Sequence, residues 1–290
     1  MPAATNPAVV SVLGRDQKGV VARICTYLAR HGVNIEQIDQ NVMEGLFIMS
    51  MLVDLKDLDV NLDTLILDLK GIGSELQMEI TVRLHGERTR KRVALLVSRE
   101  PHCLETLIAA RQSGELDAEF PVVLSNHPDL EPLAATAGIP YRWCPSTDKV
   151  AHLQFVAKEL AAAAPDLVVL ARYMQVLSPE LTRAWANKVV NIHPSLLPYY
   201  PGANAYKQAY DAGIRVCGCT AHIVTEELDK GPIVLQDVFQ IRVGEDSLET
   251  VKANGRALEA KVLTRAVQLC VRDELVVVDG KVLFRPGRVT

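Results

Sequence analysis

Seven consecutive residues, Gly86-Glu-Arg-Thr-Arg-Lys-Arg92, hold no side chain that can build a core, and they separate two stretches with different apolar rhythms. A charged run of this kind does not fit inside a packed sheet or helix pair. It predicts a solvated joint, with one domain over 1–86, a linker over 87–92 and a second domain over 93–290. The run is read as a joint rather than a nucleic-acid patch, because the whole chain is slightly acidic, with 31 Lys plus Arg against 35 Asp plus Glu.

The first stretch reads βαββαβ. Ala8 to Leu13 is a short apolar strand, and Asp16-Gln-Lys-Gly19 turns into a helix whose Val20, Ile24, Tyr27 and Leu28 form one apolar stripe. His31-Gly32 ends that helix with a glycine that tolerates the left-handed cap. Strands follow over Asn34 to Val42 and Leu46 to Leu55, then a helix from about Leu62 to Leu76. A closing strand spans Met78 to Leu84, where Ile80, Val82 and Leu84 alternate with polar neighbours.

After the joint, short apolar runs alternate with helical segments, which predicts a mostly parallel sheet covered on both faces. Val93 to Val97, Val122 to Leu124, Leu167 to Leu170 and Val189 to Ile192 are the central strands. Leu104 to Ala110 starts a helix. Thr220 to Val224 and Ile233 to Val238 flank Asp229-Lys-Gly-Pro232 as a hairpin-like pair. A long helix runs from about Leu248 to Val271, and Asp279-Gly280 marks a final hairpin between Glu274 and Phe284.

The chain contains no G-x-G-x-x-G and no Walker loop, so neither dinucleotide nor nucleoside triphosphate binding is indicated. No apolar run approaches bilayer length, and Met1-Pro-Ala-Ala-Thr lacks the basic start and apolar core of a signal peptide, so a cytoplasmic protein without a membrane partner is expected. The six cysteines lack paired zinc spacing and are expected as buried or half-buried free thiols.

The chemistry concentrates in Asn191-Ile-His-Pro-Ser-Leu-Leu-Pro and Leu228-Asp-Lys-Gly-Pro232. Asn191 and His193 are two apart, so on an extended strand end they point to the same face while Ile192 faces the core. A carbonyl under attack becomes tetrahedral and its oxygen anionic. An Asn amide is a neutral donor for that oxygen, and an imidazole with an ordinary pKa of about 6.5 carries a proton near working pH. Asp229 can position a water or pair with the imidazole. Taken singly, each residue also has a plainer use: Asn191 as a turn cap, His193 as a hydrogen-bonded loop histidine, Asp229 as a turn former.

These residues also carry a resemblance. N-I-H-P-S-L-L-P, G-A-N-A-Y-K-Q-A-Y and G-C-T-A-H-I-V-T-E-E-L-D-K-G-P-I-V-L-Q together resemble the family of formyltransferases that use 10-formyltetrahydrofolate, and the likeness covers nearly everything from Arg92 onward. It implies a Rossmann-like sheet and a catalytic set of Asn191, His193 and Asp229. It also implies a folate cleft lined by Met174, Gln175, Val176 and Leu177 and by the loop Val224, Thr225, Glu226, Glu227 and Leu228. The first stretch resembles an ACT module, a ferredoxin-like fold that often binds a small amino acid and pairs edge to edge. That implies Asp16, Gly19 and Asn34 as a regulatory ligand site, and a homodimer or homotetramer.

The combination of the two modules resembles the formyltetrahydrofolate deformylases, in which water takes the formyl group. It implies hydrolysis of 10-formyltetrahydrofolate to tetrahydrofolate and formate, with no cofactor and no metal. Ser98-Arg-Glu-Pro-His-Cys103 stands where the ribonucleotide-accepting transferases carry a Gly-Ser-Asn turn for the acceptor's phosphate. Glu100 repels a phosphate and Pro101 offers no N–H, which favours water. Pro194, by contrast, stands where many of the deformylases have a second His, and H-P-S-L-L-P is common among the transferases. A transferase to a small amine therefore remains an alternative, and a non-catalytic folate or amino-acid sensor is a second. His222, in Thr220-Ala-His-Ile, is expected as a supporting residue or as a strand histidine with a structural hydrogen bond.

Overall fold

In the computed structural model, which describes residues 6–84, 90–199 and 204–284, the chain divides into two compact units, Met1–Thr89 and Arg90–Leu283, with Phe284–Thr290 grouped with the first. The first unit contains β1 (Pro7–Arg15), α1 (Val20–Arg30), β2 (Asn34–Met43), β3 (Leu46–Asp54), α2 (Leu62–Glu75) and β4 (Met78–Leu84). Its antiparallel sheet has the order β2-β3-β1-β4. Val20, Ile24 and Leu28 of α1 pack with Leu65 and Leu69 of α2 on Val10, Val12, Met49 and Met51, so the expected stripe is the buried one. Gly19 starts α1 at φ 89°, a left-handed conformation open to glycine. Asn61 caps α2 by accepting from the Thr64 N–H at 2.7 Å.

The second unit begins β5 (Lys91–Val97), α3 (His102–Gln112), β6 (Ala118–Glu119), β7 (Val123–Ser125), α4 (Glu131–Thr136), β8 (Tyr141–Trp143) and α5 (Lys149–Ala163). It continues β9 (Leu167–Ala171), α6 (Pro179–Ala184), β10 (Val189–His193), α7 (Ala205–Asp211), β11 (Val216–Ile223), β12 (Ile233–Gln240), α8 (Leu248–Val271), β13 (Leu275–Val278) and β14 (Lys281–Phe284). Strands run in the order β12-β11-β10-β9-β5-β7-β8, with the short β6 beside β5. From β8 to β10 all neighbours are parallel, while β10, β11 and β12 pair antiparallel. The chain thus leaves β5 for β7 on one side and later enters β9 on the other.

Two apolar layers sandwich this sheet. One joins Leu104 and Leu107 of α3 and Val262, Leu263 and Ala266 of α8 to Leu95, Val169 and Ile192. The other joins Val156 and Leu160 of α5 to Leu96, Val168, Leu170 and Val189. The expected linker is shorter than 87–92. Lys91 and Arg92 already pair with Ala118 and Glu119 as the first residues of β5, because a strand end exposed to water accepts long charged side chains. The rest of the linker, 87–89, and Gly202-Ala-Asn204 up to residue 203 lie outside the described residues. All six cysteines are free, and Cys103, Cys217 and Cys219 are buried. Among the described residues no helix is long and apolar enough to cross a membrane.

Candidate active site

Alternation along β10 points Asn191 and His193 to one face, with Ile192 in the α3–α8 core. The antiparallel register with β11 sets His222 opposite Asn191 and Thr220 opposite His193. Two neighbouring strands therefore raise four polar side chains on one face at the sheet's edge. Sequence reasoning pairs three of them with Asp229 or with a supporting role; it says nothing of Thr220.

Asp229 arrives by the connection from β11 to β12. The N–H of Ile223 donates to the Pro232 carbonyl at 2.8 Å, so the connection closes tightly on the strand that carries His222. A Cβ on Gly231 would sit 1.8 Å from the Ile223 carbonyl oxygen, so only glycine permits this approach. Asp229 itself has φ 56°, a left-handed conformation that Asp tolerates better than most residues. The turn places its Oδ2 3.4 Å from His193 Nδ1 and its Oδ1 3.8 Å from His222 Nε2, with all three side chains buried.

The proton positions follow from partners. His222 Nδ1 lies 3.0 Å from the Ile223 carbonyl, which can only accept, so Nδ1 carries the proton. Burial lowers the pKa of His222 against smaller opposing effects of that carbonyl and of Asp229, so the ring is favoured neutral and Nε2 is an acceptor. Asn191 Nδ2, 3.1 Å away, must then be the donor. His222 fixes which end of the Asn191 amide faces it, and the second amide hydrogen is left for another acceptor.

The loop after His193 is held by one hydroxyl. Thr220 Oγ1 donates to the Ser195 carbonyl at 2.7 Å and accepts from Leu197 N–H at 3.0 Å and Gln236 Nε2 at 2.8 Å. That uses its one donor and both lone pairs.

The two expected cleft walls rest on the α5-side core: Leu177 is part of it and Val224 packs against it. Leu177 is thereby turned inward, supporting the wall rather than facing solvent. Val176, Met174 (58% exposed) and Leu228 (63% exposed) present apolar surface beside the polar group, and Thr225, Glu226 and Glu227 are exposed. Gln175 is half-buried. Arg183 of α6 reaches Glu226 at 3.5 Å, linking the two walls at the surface.

A second polar group, absent from the sequence expectations apart from the Ser98–Cys103 loop, occupies the ends of β5 and β9. Ser98 Oγ accepts from the Met174 N–H at 2.9 Å and donates to Asn126 Oδ1 at 2.7 Å. Arg172, left-handed at φ 62°, places Nε 3.3 Å from Oε2 of Glu259, and His102 Nε2 lies 3.3 Å from the same oxygen. Glu259 is 1% exposed, on the inner stripe of α8 with Val251, Gly255, Val262 and Ala266. An acid within an apolar stripe was the signal available in the sequence. Tyr206 lies against it: burial first, then Glu259, pushes its hydroxyl far above the ordinary range.

His102, Cys103 and Glu259 offer atoms within 4.8 Å of one another, a grouping that can suit a metal ion. The Arg172 guanidinium already faces the same carboxyl, and burial followed by Glu259 pushes the Cys103 thiol well up, which opposes thiolate ligation. The group is therefore read as an ion-pair cluster.

In the first unit, Asp16 and Gly19 are exposed in the β1–α1 loop and Asn34 is exposed at the start of β2. The Asp16 N–H donates to the Gly45 carbonyl at 2.8 Å, and the Gly19 carbonyl accepts from Arg23 N–H at 2.9 Å.

Residues 91–267 match the formyl transferase family and residues 6–83 match the ACT domain. A Bacillus subtilis protein named formyltetrahydrofolate deformylase is 36% identical over 274 residues, covering 92% of this chain and 90% of that one. The crystal structure of a formyltetrahydrofolate deformylase from Pseudomonas syringae pv. tomato superposes with a TM-score of 0.87 at 35% identity, covering 98% of this chain and 95% of that one. A glycinamide ribonucleotide transformylase from Symbiobacterium toebii is similar over 69% of this chain and 96% of its own, with a TM-score of 0.64 at 31% identity.

Proposed function

Because the chain belongs to the formyltetrahydrofolate deformylase family, we infer that it is an enzyme that hydrolyses 10-formyltetrahydrofolate to tetrahydrofolate and formate. The observation that carries the mechanism is the convergence of Asn191, His193 and Asp229, with His222 fixing the Asn191 amide.

In this reading the folate lies between the Met174–Leu177 segment and the Val224–Leu228 loop, its rings on the exposed Met174, Val176 and Leu228 side chains. Water, held by Asp229, attacks the formyl carbon. The oxygen that becomes anionic takes the second amide hydrogen of Asn191, a donor of the kind worth about 3–4 kcal/mol in acyl chemistry. His193, with Asp229 beside Nδ1, stabilises that charge and passes a proton to N10 as the C–N bond breaks. Proton transfer and oxyanion donation are both within reach of these side chains, so we propose that no metal or nucleotide cofactor takes part.

The ACT unit fits regulation: Asp16, Gly19 and Asn34 form the proposed amino-acid site, and the exposed edge strand β2 the proposed pairing edge of a homodimer or homotetramer. A cytoplasmic location, with no nucleic-acid or membrane partner, completes the proposal.

Purified protein mixed with 10-formyltetrahydrofolate alone should release formate and tetrahydrofolate in equal amounts. A requirement for an added amine would replace hydrolysis by transfer. Asp229→Asn should abolish turnover while folate binding survives; full activity in that variant would remove Asp229 from the mechanism.

A further inference from the structure

Open α/β sheets bind ligands outside the carboxyl ends of their strands, where the strand order reverses. In this sheet the reversal falls between β5 and β9. The residues that leave those two strands are Ser98 and Arg172, and beyond them Arg172 and His102 gather on Glu259, with the Tyr206 ring packed on Gly255 one turn earlier in α8. The register of β9 against β10 pairs Leu170 with Asn191, and Arg172 leaves β9 two residues further on, beside the strand that carries His193. The cluster therefore adjoins the catalytic group. It lies on the α3–α8 side, whereas Leu177 and Val224 of the folate walls pack on the α5 side.

A second substrate approaching the formyl carbon from the side opposite folate would have to occupy this reversal point. It would meet a buried carboxyl already faced by a guanidinium and an imidazole, with the Glu100 carboxyl 3.8 Å from His102 Nδ1. Arg172 Nε, His102 Nδ1 and the Tyr206 hydroxyl make no hydrogen bond there, but the Glu259 and Glu100 carboxyls beside them repel an anion, and Pro101 at the start of α3 supplies no N–H. Arg172 would face the α5 side in a regular strand; its left-handed φ turns the guanidinium back to α8, and such a conformation persists only where its surroundings hold it.

We propose that Glu259, with Arg172, His102 and Tyr206, plugs the acceptor side of the crevice and is the specificity determinant that leaves water as the only nucleophile able to reach the formyl carbon. The proposal rests on the hydrolytic reading above. Where the plug opens, an amine nitrogen attacks the formyl carbon, the N10–C bond breaks, the amine proton ends on N10, and a formamide replaces formate.

The full chain is supplied with 10-formyltetrahydrofolate carrying a ¹³C-formyl group, together with hydroxylamine or glycinamide, and formate and formamide are quantified by mass spectrometry. Wild type should give formate alone. The double variant Glu259→Ala/Arg172→Ala, which removes both charges of the ion pair, should raise the formamide-to-formate ratio at least tenfold. His102→Ala leaves that ion pair in place, should raise the ratio several-fold, and keeps the test open if the double variant does not fold. A wild-type ratio in whichever variant folds and still consumes substrate would overturn the plug. Failure of wild type to release formate without an amine would instead overturn the hydrolytic reading.

Discussion

At the ends of β10 and β11 the Asn191 amide keeps a hydrogen in reserve, whereas at the ends of β5 and β9 the charged groups gather on one buried carboxyl. Asn191 gives one amide hydrogen to His222 and retains another, and the Asp229 carboxyl stands 3.4 Å from His193, a distance that a reacting molecule can tighten. Glu259 has Arg172 and His102 both 3.3 Å from one oxygen and is closed off by α7 and α8. Burial does not separate the halves, since the Asp229 and Glu259 side chains are 8% and 1% exposed. The contrast lies in what each group has left to offer. It teaches that a free amide hydrogen beside a carboxyl can serve a reacting carbonyl, whereas a carboxyl already faced by a guanidinium and an imidazole acts first as structure.

Breaking one partner of the ion-paired half should have the largest effect on the fold. Glu259→Ala alone leaves the half-buried Arg172 without its counter-charge, a change that costs up to about 3–5 kcal/mol where the charge is fully buried. The urea midpoint should fall accordingly. A loss below about 1 kcal/mol would mean that Arg172 is compensated elsewhere and that Glu259 does not hold the half together. Asn191→Ala should reverse the pattern: kcat falls about 10²–10³-fold, as for loss of one oxyanion donor, while the urea midpoint barely moves. Equal losses of stability in both variants would erase the distinction between the two halves.

The proposed catalytic half was the more legible in sequence, for a physical reason. Asn191 and His193 sit on one strand at a spacing of two, and Asp229 sits in a turn marked by Gly231-Pro232, so local pattern marks the three positions and the family resemblance supplies their proposed shared role. The plug draws on Arg172, Glu259, His102 and Tyr206 from four separate segments, which only tertiary packing brings together. Glu259 left a trace as an acid in the apolar stripe of α8, and His102 stood in the Ser98–Cys103 loop, but nothing local joined them. Short apolar runs revealed β1 and β10, alternation revealed β4, and the Asp229-Lys-Gly-Pro232 turn revealed the β11–β12 pair. Helix α5 escaped because its buried positions are only His152, Val156 and Leu160, a thin stripe interrupted by a polar residue. That His152 is held by the Cys144 carbonyl at 2.7 Å and by the Tyr173 hydroxyl, partners that periodicity does not reveal.

A smaller effect sharpens the account of the catalytic half through pH. Burial lowers the pKa of both His222 and His152 from the ordinary 6.5. Below 6.5 the unfolded chain binds protons that the folded chain refuses, so stability is full above that value and declines as pH falls toward the folded-state pKa values. Each histidine contributes at most about 1.4 kcal/mol per pH unit in that window. Thermal melts from pH 7.5 to 5 should show the decline, and His222→Gln should make it shallower. The acid limb of kcat should move with His222 as well, because a protonated Nε2 no longer accepts from Asn191. A stability curve flat below pH 6.5 would show His222 charged in the native state and the Asn191 orientation set by something else.

The smallest effect tests how the cleft walls are held. Arg183 and Glu226 join the two walls 3.5 Å apart, but their side chains are 61% and 48% exposed, and such pairs contribute about 0–1 kcal/mol. The walls instead share a footing in the α5-side core through Leu177 and Val224. Arg183→Ala should therefore change KM for the folate less than about twofold and stability by no more than about 0.5 kcal/mol. A tenfold rise in KM at unchanged kcat would mean that the surface pair sets the width of the cleft and that the shared core footing does not. The catalytic half would then be open not only in its donors but in its walls, and closing on substrate would become part of its chemistry.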